Sequence, residues 1–170
     1  MHTLEHLYVE ELRDAYNAEK QILQALPKMA QAASSEDLQT AFNDHLKQTK
    51  QHVERLEKIF KSMGQSAAGK KCEGMEGIIR EANHLLEDQE GDGDVIDAAL
   101  IAAAQKAEHY EIATYGTLRS FAQHLGEEDA ASLLQETLEE EGETDQRLTQ
   151  LALAGINQEA SEAEDEDTIQ

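Results

Sequence analysis

Glu108-His109-Tyr110-Glu111-Ile112-Ala113-Thr114-Tyr115-Gly116-Thr117-Leu118 is the stretch on which the reading of this chain turns. Extended by Ala104, Ala122 and Leu125, it carries a stripe at spacings of three and four: Ala104, Glu108, Glu111, Tyr115, Leu118, Ala122, Leu125. Such spacing marks the buried face of an α-helix. The stripe is apolar at both ends and acidic in the middle. A carboxylate on a buried face loses several kcal/mol of hydration even after relaxation, so the middle of this helix needs a compensating partner.

Three further segments repeat the pattern. A first helix, about 3–33 with Thr3 as its cap, carries Leu12, Ala15, Glu19, Ile22 and Leu26. Pro27 inside it is expected to bend it. A second, capped by Ser34 or Ser35 and ending near 63, carries Phe42, His45, Thr49, His52 and Leu56. The helix of the quoted stretch starts after a Gly91-Asp92-Gly93 loop with Asp94 as cap, and Gly126 suits its C′ position. The last, about 128–154, carries Leu134, Leu138, Glu141, Asp145 and Leu148. A short helix, about 74–88, lies in the long connection between the second and third, while the other two connections are tight. Ala18-Glu19 with Leu26 and Ala30 is echoed by Tyr110-Glu111 with Leu118 and Ala122, and Arg55-Leu56 by Arg147-Leu148. Two duplicated hairpins would make an all-α, up-down-down-up four-helix bundle with one long crossover. The bundle is expected over 1–154, followed by an acidic, solvated and mobile tail over 155–170.

Composition narrows the function. Among 170 residues, 36 Asp and Glu against 14 Lys and Arg give a net charge of −22. Such a chain repels phosphate backbones and anionic membranes and concentrates cations. Apolar runs fall short of the roughly 20 residues of a membrane span. Cys72 is the single cysteine, which excludes an intrachain disulfide, and no basic, apolar leader opens the chain. A cytoplasmic setting is the expectation. Phosphate-binding loops, nucleophile triads and cysteine zinc patterns do not appear.

The ionisable residues of the four stripes also match in height. With the crossover long, the first and fourth helices run one way and the second and third the other. Glu19, Thr49, Glu111 and Glu141 then share a layer, and His45, Glu108 and Asp145 lie one turn, about 5.4 Å, above it. His52 falls a turn below, as a spare ligand or a support. Five carboxylates with no base among them repel one another, and two divalent ions would set +4 against −5. Oxygen and imidazole ligands suit iron, manganese or zinc. The expected ligands are Glu19, His45, Glu108, Glu111, Glu141 and Asp145, with His52, Thr49, Tyr16 and Tyr115 beside them. Glu139, Glu140 and Glu143 read as a solvated face, and His2, His6, His84, His109 and His124 as surface residues.

At these residues the chain resembles the YciF/YciE family of bacterial stress proteins, a branch of the ferritin-like superfamily. The likeness covers 4 to about 153. It rests on Asp14-Ala-Tyr-Asn-Ala-Glu19-Lys-Gln, His45-Leu-Lys-Gln-Thr49, Ala98 to Gln105, the quoted stretch, and Thr137-Leu-Glu-Glu-Glu141. The resemblance implies a ferritin-like bundle with a dinuclear centre, iron foremost, with Glu19, Glu111 and Glu141 as ligands. The superfamily's second and fourth helices usually carry Glu-x-x-His, whereas this chain has Thr49-x-x-His52 and Glu141-x-x-Thr144. His45 and His52 therefore stand as alternative ligands. The function implied is a stress-response protein with iron and O2 or peroxide chemistry. The alternatives are ions that only staple the bundle, and a metal-free helical scaffold. Expected partners are metal ions and O2 or H2O2, with a homodimer as the candidate oligomer, and neither nucleic acid nor membrane.

Overall fold

The computed structural model describes residues 3–87 and 93–163. Four long helices form the frame: α1 (Leu4–Ala32), α2 (Glu36–Ser62), α4 (Gly93–Leu125) and α5 (Glu128–Leu151), with α3 (Glu73–Glu87) in the crossover. Their ends are written in local chemistry. Thr3 Oγ1 accepts from the His6 N–H, and Ser35 Oγ accepts from that of Leu38. At the C-termini of α2 and α4, Gly64 and Gly126 adopt φ of 63° and 77°. The following N–H groups of Gln65 and Glu127 return to the carbonyls of Phe60 and Ala122. That closure satisfies carbonyls the helix leaves open, and glycine takes the left-handed conformation without a Cβ clash.

α1 touches α2 and α4, and α5 completes the square against α2 and α4. Two apolar clusters fix the directions. The lower one joins Tyr8 and Leu12 near the start of α1 to Ile59 and Phe60 at the end of α2, Leu118 and Ala122 late in α4, and Ala131 and Leu134 early in α5. The upper one joins Leu26 and Met29 to Leu38, Phe42, Leu100, Ala104 and Leu148. Hence α1 and α5 run up, α2 and α4 run down, and α2 and α4 are parallel, as the matched heights require. α3 lies on the side made by α1 and α4. Asp97 of α4 accepts the N–H groups of Ser34 and Ser35, both at 2.7 Å, and so ties the α1–α2 turn to the far hairpin. No described helix is long and apolar enough to cross a membrane.

α1 runs through Pro27 as one helix, as expected. Other boundaries differ from expectation. α4 begins at Gly93, which puts Asp94 in its first turn rather than at its cap; the loop positions 91 and 92 lie outside the described residues. The final helix does not stop at 154. A π-helical turn, Ala152–Ile156, leads into α6 (Asn157–Glu162). Gly155 does not break the run, because Ile156 buries its side chain in the upper cluster and α6 packs on α4. The acidic end, 164–170, lies outside the described residues.

Candidate metal centre

Between the two apolar clusters the bundle has a polar waist. α1 contributes Glu19, α2 His45 and His52, α4 Glu108 and Glu111, and α5 Glu141, each no more than 3% exposed. Residues three, four or seven apart lie on one helix face, which is why α2 and α4 can each place two ligands there. His45 Nε2 is 3.2 Å from Glu108 Oε1 and 3.8 Å from Glu141 Oε2. His52 Nδ1 is 3.3 Å from Glu19 Oε1 and 3.0 Å from Glu141 Oε1. Ligand atoms gather into two groups, each within 4.8 Å: His45, Glu108, Glu111 and Glu141 above, and Glu19, His52 and Glu141 below. Glu141 is shared, with one oxygen toward each histidine.

The outer partners fix the two imidazoles in opposite senses. His52 Nε2 is 2.8 Å from Glu140 Oε2, so its proton is directed there and Nδ1 is turned to the centre. Glu140 is itself clamped by Arg55 at 2.6 and 3.0 Å, and the same guanidinium reaches Thr137 and Glu136. His45 Nδ1 lies 3.2 Å from Thr144 Oγ1. That hydroxyl donates to the Glu140 carbonyl at 3.0 Å, so it accepts from His45 and leaves Nε2 as the inward acceptor. Carboxylates and hydroxyls that orient a histidine in this way are the usual support of metal-binding imidazoles. On the lower side the Tyr115 hydroxyl donates to Glu19 Oε1.

Electrostatics follow from burial. Loss of water pushes the Glu108 and Glu111 carboxyls well above the usual range, and the Glu141 charge adds to it. Burial likewise raises Glu19, against the opposing pull of His52. Burial disfavours the charged form of His52, yet Glu140, Glu141 and Glu19 outweigh it and raise the imidazole to about 12. Glu141 is also penalised by burial, but its contacts with His52 and the charge of His45 bring it below the ordinary value. Glu140 ends at about 2, since His52 and Arg55 overcome its partial burial.

Buried polar atoms are nearly always hydrogen-bonded. Here Glu19 Oε2, His45 Nε2, His52 Nδ1, Glu108 Oε2 and both oxygens of Glu111 and of Glu141 make no aligned hydrogen bond, and the histidine nitrogens and Glu141 have only the ion-pair approaches given above. Among the described residues only Tyr8 Oη and Arg119 Nε are in the same condition elsewhere. Four carboxylates and two imidazoles, once they give up their protons, suit two divalent ions of the iron, manganese or zinc type, whose +4 would balance the four carboxylates. The residues therefore fit a dimetal centre.

Five of the six expected ligands come together. The exception is Asp145. It follows Glu141 by four residues, which overshoots a 3.6-residue turn and swings it to the α4–α5 rim. There it meets Gln105 Nε2 at 3.1 Å and His109 Nε2 at 3.3 Å. His52 is part of the cluster rather than a turn below it, and His45 and His52 are both present rather than alternatives; their ring centroids are 6.2 Å apart. Thr49 is buried in the waist, but its hydroxyl bonds the His45 carbonyl at 2.9 Å. Tyr16 turns outward to Glu57 at 3.0 Å. Glu140, expected on a solvated face, is instead the support of His52. The signal for it was Arg55, a base three residues beyond His52 that needed an acidic partner on α5.

The donor count equals that of a bundle with two Glu-x-x-His helices and two single glutamates, namely four carboxylates and two imidazoles. The distribution differs. Where α5 would place a histidine it has Thr144, which holds His45 of α2 instead. Where α2 would place a carboxylate it has Thr49, and α4 supplies Glu108.

Residues 3–161 match the family model described as a domain of unknown function, DUF892. Protein YciF of Escherichia coli (strain K12) is 49% identical over 161 residues, which are 94% of this chain and 96% of that protein. The crystal structure of the E. coli stress protein YciF superposes with a TM-score of 0.88 at 49% identity, covering 92% of this chain and 99% of that one. YcfI of Rhodopseudomonas palustris, described as a proposed structural protein, is 42% identical with a TM-score of 0.84, covering 88% and 94%. A protein from Xanthomonas campestris pv. campestris, 20% identical with a TM-score of 0.72, shares the fold over 95% of this chain and 100% of its own.

Proposed function

The chain belongs to the YciF-like DUF892 family, and on that premise we propose that it is a dimetal-carboxylate protein whose centre holds two divalent ions, iron foremost, and reduces O2 or H2O2. The observation that carries this reading is the convergence on one volume of eight buried polar atoms from four helices, none of them in an aligned hydrogen bond. Bound there, two ferrous ions would supply two electrons, so that O2 with two protons becomes H2O2, or H2O2 with two protons becomes two waters. The chain's own part is positional and protonic. Glu141 spans the two halves, and Glu140 and Thr144 aim the imidazoles. Burial pushes the Glu108 and Glu111 carboxyls toward the protonated form in the metal-free protein, and ligation favours the ionised form. Tyr115 holds one oxygen of Glu19 and leaves the other for an ion.

The test is metal content of protein purified without chelator, followed by O2 and H2O2 consumption on adding Fe2+. About two ions per chain are expected, with oxidant consumed in step with iron and both properties lost in Glu141→Ala. Metal-free protein that also fails to take up Fe2+ would sink the reading. A second reading, in which ions only tie the helices together, is favoured by the description of YcfI. It predicts full metal content with no oxidant consumed.

A further inference from the structure

A narrow apolar cleft of about 40 Å³ opens between α1, α3 and α4 and reaches the centre on one side only. Lys28 and Asn83, both exposed, stand among its lining residues at the surface. His45 and Glu108, both buried, are its inner polar members. The walls between are apolar. Ala103, Ala104 and Ala107 of α4 supply no atoms beyond Cβ, which is what leaves the space. Ile78, Ile79 and Ala82 of α3 roof it. None of the candidate ligands lies on the crossover helix, which here forms the roof.

The volume exceeds the roughly 10–15 Å³ that one water needs, and dry apolar cavities in proteins take up small nonpolar guests such as xenon. Water or H2O2 crossing the alanine wall would leave hydrogen bonds behind without replacement, at a cost of a few kcal/mol. Dioxygen has none to lose. We propose that this cleft is the binding site and route for O2, which makes dioxygen rather than peroxide the oxidant delivered to the His45–Glu108 side of the centre. The inference rests on the dimetal reading above. Its redox step is the one already written, in which ferrous ions held there would supply two electrons and O2 with two protons would leave as H2O2.

Two arms test it. The first is xenon-pressurised diffraction on the metal-free protein, which reads the cleft without any activity. Xenon density between Ala82, Ala104 and Ala107 is expected, and its absence overturns the proposal. The second uses Ala107→Leu and Ala82→Leu, both at half-buried positions, so that one can fold if the other does not. Each should retain metal content and lose xenon, while O2-driven Fe2+ oxidation slows roughly ten-fold and H2O2-driven oxidation changes far less. A folded, xenon-free variant with wild-type O2 kinetics overturns the route. An active wild type that binds no xenon sinks this inference alone. A wild type that takes no metal, or holds metal and ignores O2, sinks the oxidation reading and this inference with it.

Discussion

The two halves of the waist each set one imidazole among carboxylates, three above and two below with Glu141 shared, and are held in different ways. Around His52 the chain is closed: Glu140 is clamped by Arg55, Thr137 and Glu136 flank the guanidinium, and Tyr115 grips Glu19. Around His45 there is one hydroxyl, Thr144, and beyond Glu108 an apolar cleft. The lower half is charged and buttressed, the upper half lightly held and reachable. Under the proposed dimetal reading a small reactant would meet the loosely supported side while the other side keeps its geometry. That is the division of labour expected if an ion pair is to change charge without the bundle moving.

The largest effect should come from removing what the halves share. Glu141→Ala takes one ligand from both groups, and metal analysis should find both ions lost. The single histidines come next. His52→Ala should lose the lower ion and His45→Ala the upper, each leaving about one per chain; loss of both ions in either variant would merge the halves into one cooperative site.

Acidity gives a third test. His52 rises from 6.5 to about 12, so the stability it contributes is full below 6.5 and is lost as pH rises toward 12. Glu108 and Glu111 are raised above 4.5, so they too oppose folding increasingly as pH rises above that value. Metal-free protein should therefore melt lower at pH 8 than at about pH 5. Metal-loaded protein should reverse the slope, since ligation favours the ionised carboxylates and the neutral imidazole. Parallel slopes in the two forms would count against ligation by these groups.

Subtler changes sharpen the contrast. Glu140→Gln removes the charge behind His52 and should weaken the lower ion roughly 10–100-fold by competition titration, with the upper ion unaffected. Thr144→Val should weaken the upper ion less, because a hydroxyl is a weaker support than a clamped carboxylate. Asp145→Asn, at the α4–α5 rim, should leave metal content unchanged.

Much of this was legible in the sequence because helices translate spacing into faces. Glu19, His45, Glu108, Glu111 and Glu141 stand on apolar stripes, and the long crossover fixes the directions that bring them to one height. Family likeness implies Glu19, Glu111 and Glu141 and the usual motif, from which the chain departs at Thr49 and Thr144. Rotation within a turn was the part that spacing alone could not resolve. Asp145 lies about 40° further round α5 than Glu141 and Glu140 about 100° the other way; the first meets Gln105 and the second His52 and Arg55. Such choices depend on which neighbouring helix lies closer, a property of packing. The helix beyond 154 was missed for a related reason: Gly155 looks like a stop, and only burial of Ile156 in the upper cluster keeps the backbone helical.

Anomalous diffraction at the iron edge, on crystals of protein purified without chelator and supplied with Fe2+ under anaerobic conditions, addresses the centre directly. The account predicts two peaks in the waist, one within bonding distance of His45 Nε2 and one of His52 Nδ1, with Glu141 between them. A waist without anomalous density, its carboxylates bonded to His52 and to water instead, would contradict it.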